Sequence, residues 1–129
     1  MRNIKRGLLS VAAAVAMGAG VLAVSATPAA AASTCGGGLL GNWPITGGYI
    51  AVYYSSSTGD NCAMTYTNHP GKPQHIMVEI DDGGAAHRDS GTYSYYAGPV
   101  YVHAPGKCVN FEGQIGNGSI DGVINAYCG

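Results

Sequence analysis

The run Arg88-Asp89-Ser90-Gly91 is the nearest thing to a nucleophile motif in the chain. It echoes the Asp-Ser-Gly of trypsin-like proteases. There a serine attacks a carbonyl, a histidine takes its proton, and a carboxylate orients the histidine. His69, His75, His87 and His103 could each supply the base. Nothing in their spacing ties one of them to Ser90, and the chain is too short for the two barrels of that protease fold. Asp-Ser-Gly is also ordinary turn chemistry. The expectation is a turn entering a strand, with no catalytic residue and no enzyme.

Two acidic groupings invite other chemistry. Asp81-Asp82-Gly83-Gly84, with Asp60 or Asp89 nearby, could offer carboxylate oxygens to calcium. The run lacks the alternating Asp-x-Asp-x-Asp-Gly spacing of a calcium loop. Glu79 and Glu112 could be drawn as a glycosidase pair, but that reaction needs a set separation between carboxyl groups. Exposed strand positions account for both residues. No metal and no cofactor are expected.

The four cysteines, Cys35, Cys62, Cys108 and Cys128, carry a clearer signal. There is no Cys-x-x-Cys pair to suggest zinc. An even count in a short exported chain implies two disulfides, for which three connectivities are possible. The preferred pairing is 35–62 with 108–128, because each bridge then ties an end of the chain to a nearby strand. In a domain this small such bridges can decide whether the chain folds.

Export is read from the first 32 residues. Arg2, Lys5 and Arg6 form a basic start, Leu8 to Ala26 carries no charge, and Ala30-Ala31-Ala32 ends the run with small residues. That is the layout of a secretory signal peptide cleaved before Ser33. Its abundance of alanine and glycine, and its Ala-x-Ala end, argue against a membrane anchor of similar length. The chain then divides into a signal peptide over 1–32 and one β-rich domain over 33–129. The mature domain carries Lys72, Arg88 and Lys107 against Asp60, Glu79, Asp81, Asp82, Asp89, Glu112 and Asp121, a net charge of −4. No basic patch exists to grip phosphate, so nucleic acid and anionic membrane surfaces are not expected partners.

The elements that must position these residues read as strands throughout. Tyr49 to Tyr54, Cys62 to Thr67 and His75 to Ile80 are strands, the last with Ile76, Val78 and Ile80 on one face. Tyr93 to Tyr96, Pro99 to His103, Cys108 to Gly113 and Ile120 to Tyr127 complete the set. Gly36 to Gly38 and Gly41 suggest a loose N-terminal stretch, and Gly98-Pro99 suggests a break. A turn over Ala104 to Lys107 would close a hairpin with Val102 opposite Val109 and Val100 opposite Phe111. Short strands with turns at this spacing predict an all-β, disulfide-stapled antiparallel sandwich or barrel.

Nine tyrosines stand beside one Trp and one Phe. Tyrosine suits strands and packs with its hydroxyl at an edge, so most can be half-buried sheet residues. The functional reading is an aromatic surface that stacks on sugar rings or on a protein partner. Trp43 would anchor it, with Tyr95, Tyr96 and Tyr101 as further members.

Four segments carry a resemblance. They are Cys35-Gly36-Gly37-Gly38, Pro44-Ile45-Thr46-Gly47-Gly48, and the run from Tyr54 to Cys62 (Tyr-Ser-Ser-Ser-Thr-Gly-Asp-Asn-Cys). The fourth is Asp89 to Val100, with Lys107-Cys108-Val109 and the terminal Cys128-Gly129. In these the mature chain resembles the spore-associated protein A family, small exported proteins of filamentous, spore-forming bacteria. The segment 70–87 lies outside the resemblance. The resemblance implies a non-catalytic protein loosely held at the spore or cell surface, with spore or cell-wall components as partners. The alternative is a secreted binding module or inhibitor acting on glycan or on another secreted protein.

Overall fold

A computed structural model of the chain describes residues 35–129; the expected signal peptide over 1–32 lies outside the described residues. Eight strands follow one another: β1 (Gly38–Ile45), β2 (Gly48–Ser55), β3 (Asp60–Thr67), β4 (Gln74–Asp81), β5 (His87–Tyr93), β6 (Tyr96–His103), β7 (Val109–Ile115) and β8 (Asp121–Ala126). They form two antiparallel four-stranded sheets, ordered β1-β2-β3-β6 and β5-β4-β7-β8. The fold is the expected all-β sandwich. Among the described residues no helix is long and apolar enough to cross a membrane.

Alternation along each strand builds the core. Ile50, Val52 and Ala63 face inward from the first sheet, joined by Val100 and Val102 of β6. Ile76, Val78, Ile80, Val109, Phe111 and Ile115 meet them from the second. Gly113 of β7 faces β2 and β3 across the sandwich at short range. A Cβ there would lie 2.5 Å from Thr65 Oγ1 and 3.0 Å from Ile50. The Thr65 hydroxyl under this contact is fully buried and has no hydrogen-bond partner among the described residues. Buried hydroxyls are nearly always paired, so the close approach of the sheets is maintained against a local polar cost.

Both expected disulfides are present. Cys35–Cys62 spans a sequence separation of 27, and Cys108–Cys128 one of 20. The first ties the start of the described residues to β3, and the second ties their end to the loop just before β7.

Several local expectations are corrected. The glycine-rich N-terminal stretch is strand β1, held against β2 by a ladder with one bulge between Leu39 and Gly41. Asp89-Ser90-Gly91 is not a turn but the middle of β5. The turn falls instead at Ser94-Tyr95, inside what reads in sequence as a strand. Gly98-Pro99 does not break the chain, because both residues lie within β6. The hairpin over Ala104 to Lys107 does not form a ladder. β6 pairs with β3 in one sheet, and β7 with β4 and β8 in the other. Val100, Val102, Val109 and Phe111 do share an interior, but face to face across the sandwich. Alternation specifies which side a residue faces and leaves open which strand lies beside it.

Candidate functional site

The two outer faces of the sandwich have opposite chemistry. On the first sheet the outward residues fall into cross-strand rows. One row runs Pro44, Tyr49, Tyr66, Tyr96 and another Leu39, Tyr53, Cys62, Tyr101. Between them lie Asn42, Ala51 and Met64. The rings of Tyr49 and Tyr66 stack with centroids 5.2 Å apart, and Tyr66 meets Tyr96 tilted at 5.6 Å. Aromatic pairs across strands are among the favoured sheet contacts. The Tyr66 hydroxyl donates to Met64 Sδ at 3.3 Å. Burial first, and then the neighbouring phenols of Tyr53 and Tyr49, push its pKa up. No charged residue stands in these rows. Asp60 and His103 pair at 3.0 Å one row further along.

This face gathers Tyr96 and Tyr101 of the expected binding residues, and Tyr101 is 43% exposed. Tyr95, 59% exposed, sits beside it in the turn before β6. Trp43 is elsewhere. It lies on β1 and packs inward against the core, 5.8 Å from the Phe111 ring and 6.3 Å from Tyr127. Its indole N–H donates to the Tyr127 hydroxyl at 2.8 Å. Trp43 is therefore a half-buried strand residue and not, as expected, part of a glycine-rich loop. Tyr49, Tyr53 and Tyr66 join Tyr96 and Tyr101 on this face. Their odd–even spacing put Tyr49 and Tyr53 on one face already in the sequence, but only the sheet order sets Tyr66 and Tyr96 beside them.

The outer face of the second sheet is polar and charged. Glu79 on β4 stands directly opposite Arg88 on β5 and Glu112 on β7. Arg88 Nε donates to Glu79 Oε2 at 2.9 Å, and Arg88 Nη2 lies 3.7 Å from Glu112 Oε2. Burial, and then a hydrogen bond and like charge from Glu79, raise the pKa of Glu112 from its ordinary 4.5, against the pull of Arg88. The two glutamates are thus cross-strand neighbours that both face Arg88.

That pair has a consequence for stability. Below the ordinary value, folded and unfolded chains both hold the Glu112 proton. As pH rises from 4.5 through the raised folded value, the unfolded chain releases it more readily, so stability falls. Glu112→Gln is therefore expected to raise the melting temperature modestly at neutral pH and to leave it unchanged in acid below the ordinary glutamate range. The effect is modest because solvent screens these groups. A melting series over pH checks it; an equal gain at every pH would show that packing, not ionisation, is responsible.

The Asp89-Ser90-Gly91 run lies within β5. Asp89 and Ser90 are consecutive on β5, so their side chains point to opposite faces. Asp89 accepts the Tyr93 hydroxyl at 2.6 Å and the Gly98 N–H at 2.7 Å, joining β5 to β6 across the two sheets. The Tyr93 pKa is raised, first by this bond. Asp89 therefore cannot orient a base for Ser90. His75 is bound to Gln114 at 3.1 Å, and His103 to Asp60. The two aspartates after β4 are likewise used locally. Asp81 Oδ1 accepts the Gly83 N–H and the Asn110 amide, while Asp82 Oδ1 accepts the Gly84 N–H. Among the described residues no three His, Cys, Asp or Glu side chains are grouped to hold a metal ion.

No family model matches the chain, and no solved structure matches it. It is similar to "Spore-associated protein A" of Streptomyces coelicolor, at 39% identity over 117 residues, covering 79% of this chain and 75% of that protein. With an aligned span that includes most of the stapled sandwich, the chain belongs to the spore-associated protein A family.

Proposed function

We propose that the protein is a non-catalytic component of the spore or cell exterior, exported and then held loosely by its tyrosine face. The observation that carries this reading is the uncharged tyrosine surface on one side of a sandwich whose other side bears the charges. Phenol rings present large contact area at low entropic cost and stack on the apolar faces of sugars. An uncharged surface selects uncharged glycan over anionic wall polymers, which would need basic residues. The name of the relative supports association with spores. With all four cysteines paired among themselves, none remains for cross-linking to the exterior.

The test is to fractionate spores and hyphae, wash each with non-reducing detergent, and follow the protein. The wild type is expected on spores and released by the wash. Tyr49→Ala with Tyr96→Ala is expected to fold and to appear in the medium instead. Protein that resists detergent until covalent bonds are broken contradicts the reading. Wild-type protein found in the medium alone favours a secreted binder or inhibitor acting on another secreted molecule. Export itself is tested by N-terminal sequencing, with Ser33, or a residue within about two of it, expected as the first mature residue. Intact Met1 in the membrane fraction would refute cleavage.

A further inference from the structure

We infer that the outward edge of β8 is a docking site for an extended segment of a partner protein, one that adds as a further strand and carries a basic residue between two apolar ones. An unpaired strand edge is a template for another chain, and sheets commonly defend theirs. Three of the four edges of this sandwich are defended. β1 carries Pro44 and a bulge. β5 carries His87 and Arg88, and Asp89 ties it to β6. β6 contains Pro99. β8 has neither proline nor a basic residue, and it is paired on one side only, with β7. Its single charge, Asp121, is taken up by the Ser119 hydroxyl and the Thr46 N–H. Its bulge, between Val123 and Ala126, leaves residues 121–123 in regular register.

The side chains along this edge say what would lie there. Among the described residues the exposed large aliphatic side chains are Leu39, Leu40, Ile120 and Ile124. Two of them flank Gly122, with Ile120 52% and Ile124 75% exposed. Gly122 leaves a gap between them. A Cβ there would run into the Phe111 carbonyl oxygen and lie 2.7 Å from Glu112 Cβ. An open hollow of about 360 Å³ occupies this place, with Gly122 and Ile124 of β8, Glu79 and Asp81 of β4, and Glu112 of β7 among its walls.

Charge complementarity decides the occupant. Arg88 sits 2.9 Å from Glu79 but 3.7 Å from Glu112, so Glu112 is the less compensated of the two. Paired residues on neighbouring strands share a face. A residue set opposite Gly122 on an added strand would therefore point over the gap toward Glu112, which stands opposite Gly122 on β7. Two strand spacings come to about 10 Å, within the combined reach of a lysine or arginine and a glutamate. The residues two before and two after it would cover Ile120 and Ile124. A second copy of this chain does not meet that requirement. Its β8 brings no basic residue, and its acidic residues outnumber its basic ones.

The probe is the end-capped peptide Thr-Ile-Thr-Lys-Thr-Ile-Thr, with two comparators. One has glutamate at the centre. In the other, proline replaces the two threonines beside the lysine, which keeps the charge and removes strand hydrogen bonds. The oxidised protein, isotopically labelled and expressed with its own leader, would be titrated by NMR. The lysine peptide is expected to give saturable shifts over residues 120–124 and to protect the backbone amides of β8 from exchange. The glutamate and proline peptides should each bind at least about tenfold more weakly. Glu112→Gln, a surface change that leaves the core intact, should narrow the difference between the lysine and glutamate peptides about threefold. Absent saturable shifts, shifts centred on the tyrosine face, a comparator that binds as tightly as the lysine peptide, or an unchanged difference in Glu112→Gln would each overturn the inference. So would a peptide-free protein that runs as a dimer with its β8 amides already protected, because the edge would then belong to a second copy.

Discussion

Reduction of both disulfides is expected to unfold the protein at ordinary growth temperatures. The bridges close loops with separations of 27 and 20 residues. On the chain-entropy account each such closure is worth about 3–4 kcal/mol, by restricting the unfolded chain. Domains of this size have a net stability of about 5–15 kcal/mol, so losing both removes a large part of the total. The positions sharpen the expectation. Cys35–Cys62 ties the segment leading into the edge strand β1 to β3. Cys108–Cys128 closes the other end, where Tyr127 packs on Phe111 and Trp43. Thermal melts with and without reductant check this, and a fall of more than about 20 °C is expected from the stability-to-Tm scaling of small domains. Paired serine variants, Cys35→Ser with Cys62→Ser and Cys108→Ser with Cys128→Ser, should each lose about half of that. A reduced protein melting within a few degrees of the oxidised one would show that the packed core suffices.

Much of this architecture could be read from residues in order. Ile76, Val78 and Ile80 announce β4 by alternation, and the tyrosine-rich run from Tyr49 to Tyr54 announces β2. The pairing preferred among three possible connectivities, 35–62 with 108–128, is the one the structure holds. The misses share one cause, which is dependence on partners distant in sequence. β1 contains two glycines and little apolar pattern, and it is a strand because β2 offers it a ladder and Trp43 and Ile45 reach the core. Asp89-Ser90-Gly91 has turn composition, yet the Asp89 carboxylate is satisfied by Tyr93 and Gly98, so β5 stays extended.

The candidate sites show the same division. Nine tyrosines were countable, but their assembly into one face required the order β2-β3-β6. The contact between Glu79 and Glu112 depends on the register of β4 against β7. Ile120 and Ile124 read in sequence as ordinary strand residues. Only the place of β8 at the edge of its sheet leaves them exposed.

Two adjacent substitutions on β6 should give opposite outcomes: Val100→Asp abolishes folding, whereas Tyr101→Asp leaves the fold standing and removes surface attachment. Val100 lies opposite Ala63 on β3 and belongs to the core with Val78 and Phe111. A carboxylate placed there has no cation or donor to meet it. It must either be buried as a charge or take up a proton at a strongly raised pKa, and mutations of this kind fall in the rare class costing more than about 4 kcal/mol. Tyr101 points the other way, opposite Cys62 on the tyrosine face, and is 43% exposed. Aspartate there forfeits some strand preference, about 1 kcal/mol or less, which the two disulfides can absorb. It also sets a negative charge in rows that contain none, and so opposes stacking on an uncharged surface. Circular dichroism and exported yield report folding, while retention on washed spores reports attachment. Soluble, folded Val100→Asp protein would displace β6 from the core described here. Folded Tyr101→Asp protein that still binds spores as the wild type does would remove the tyrosine face from the mechanism of attachment.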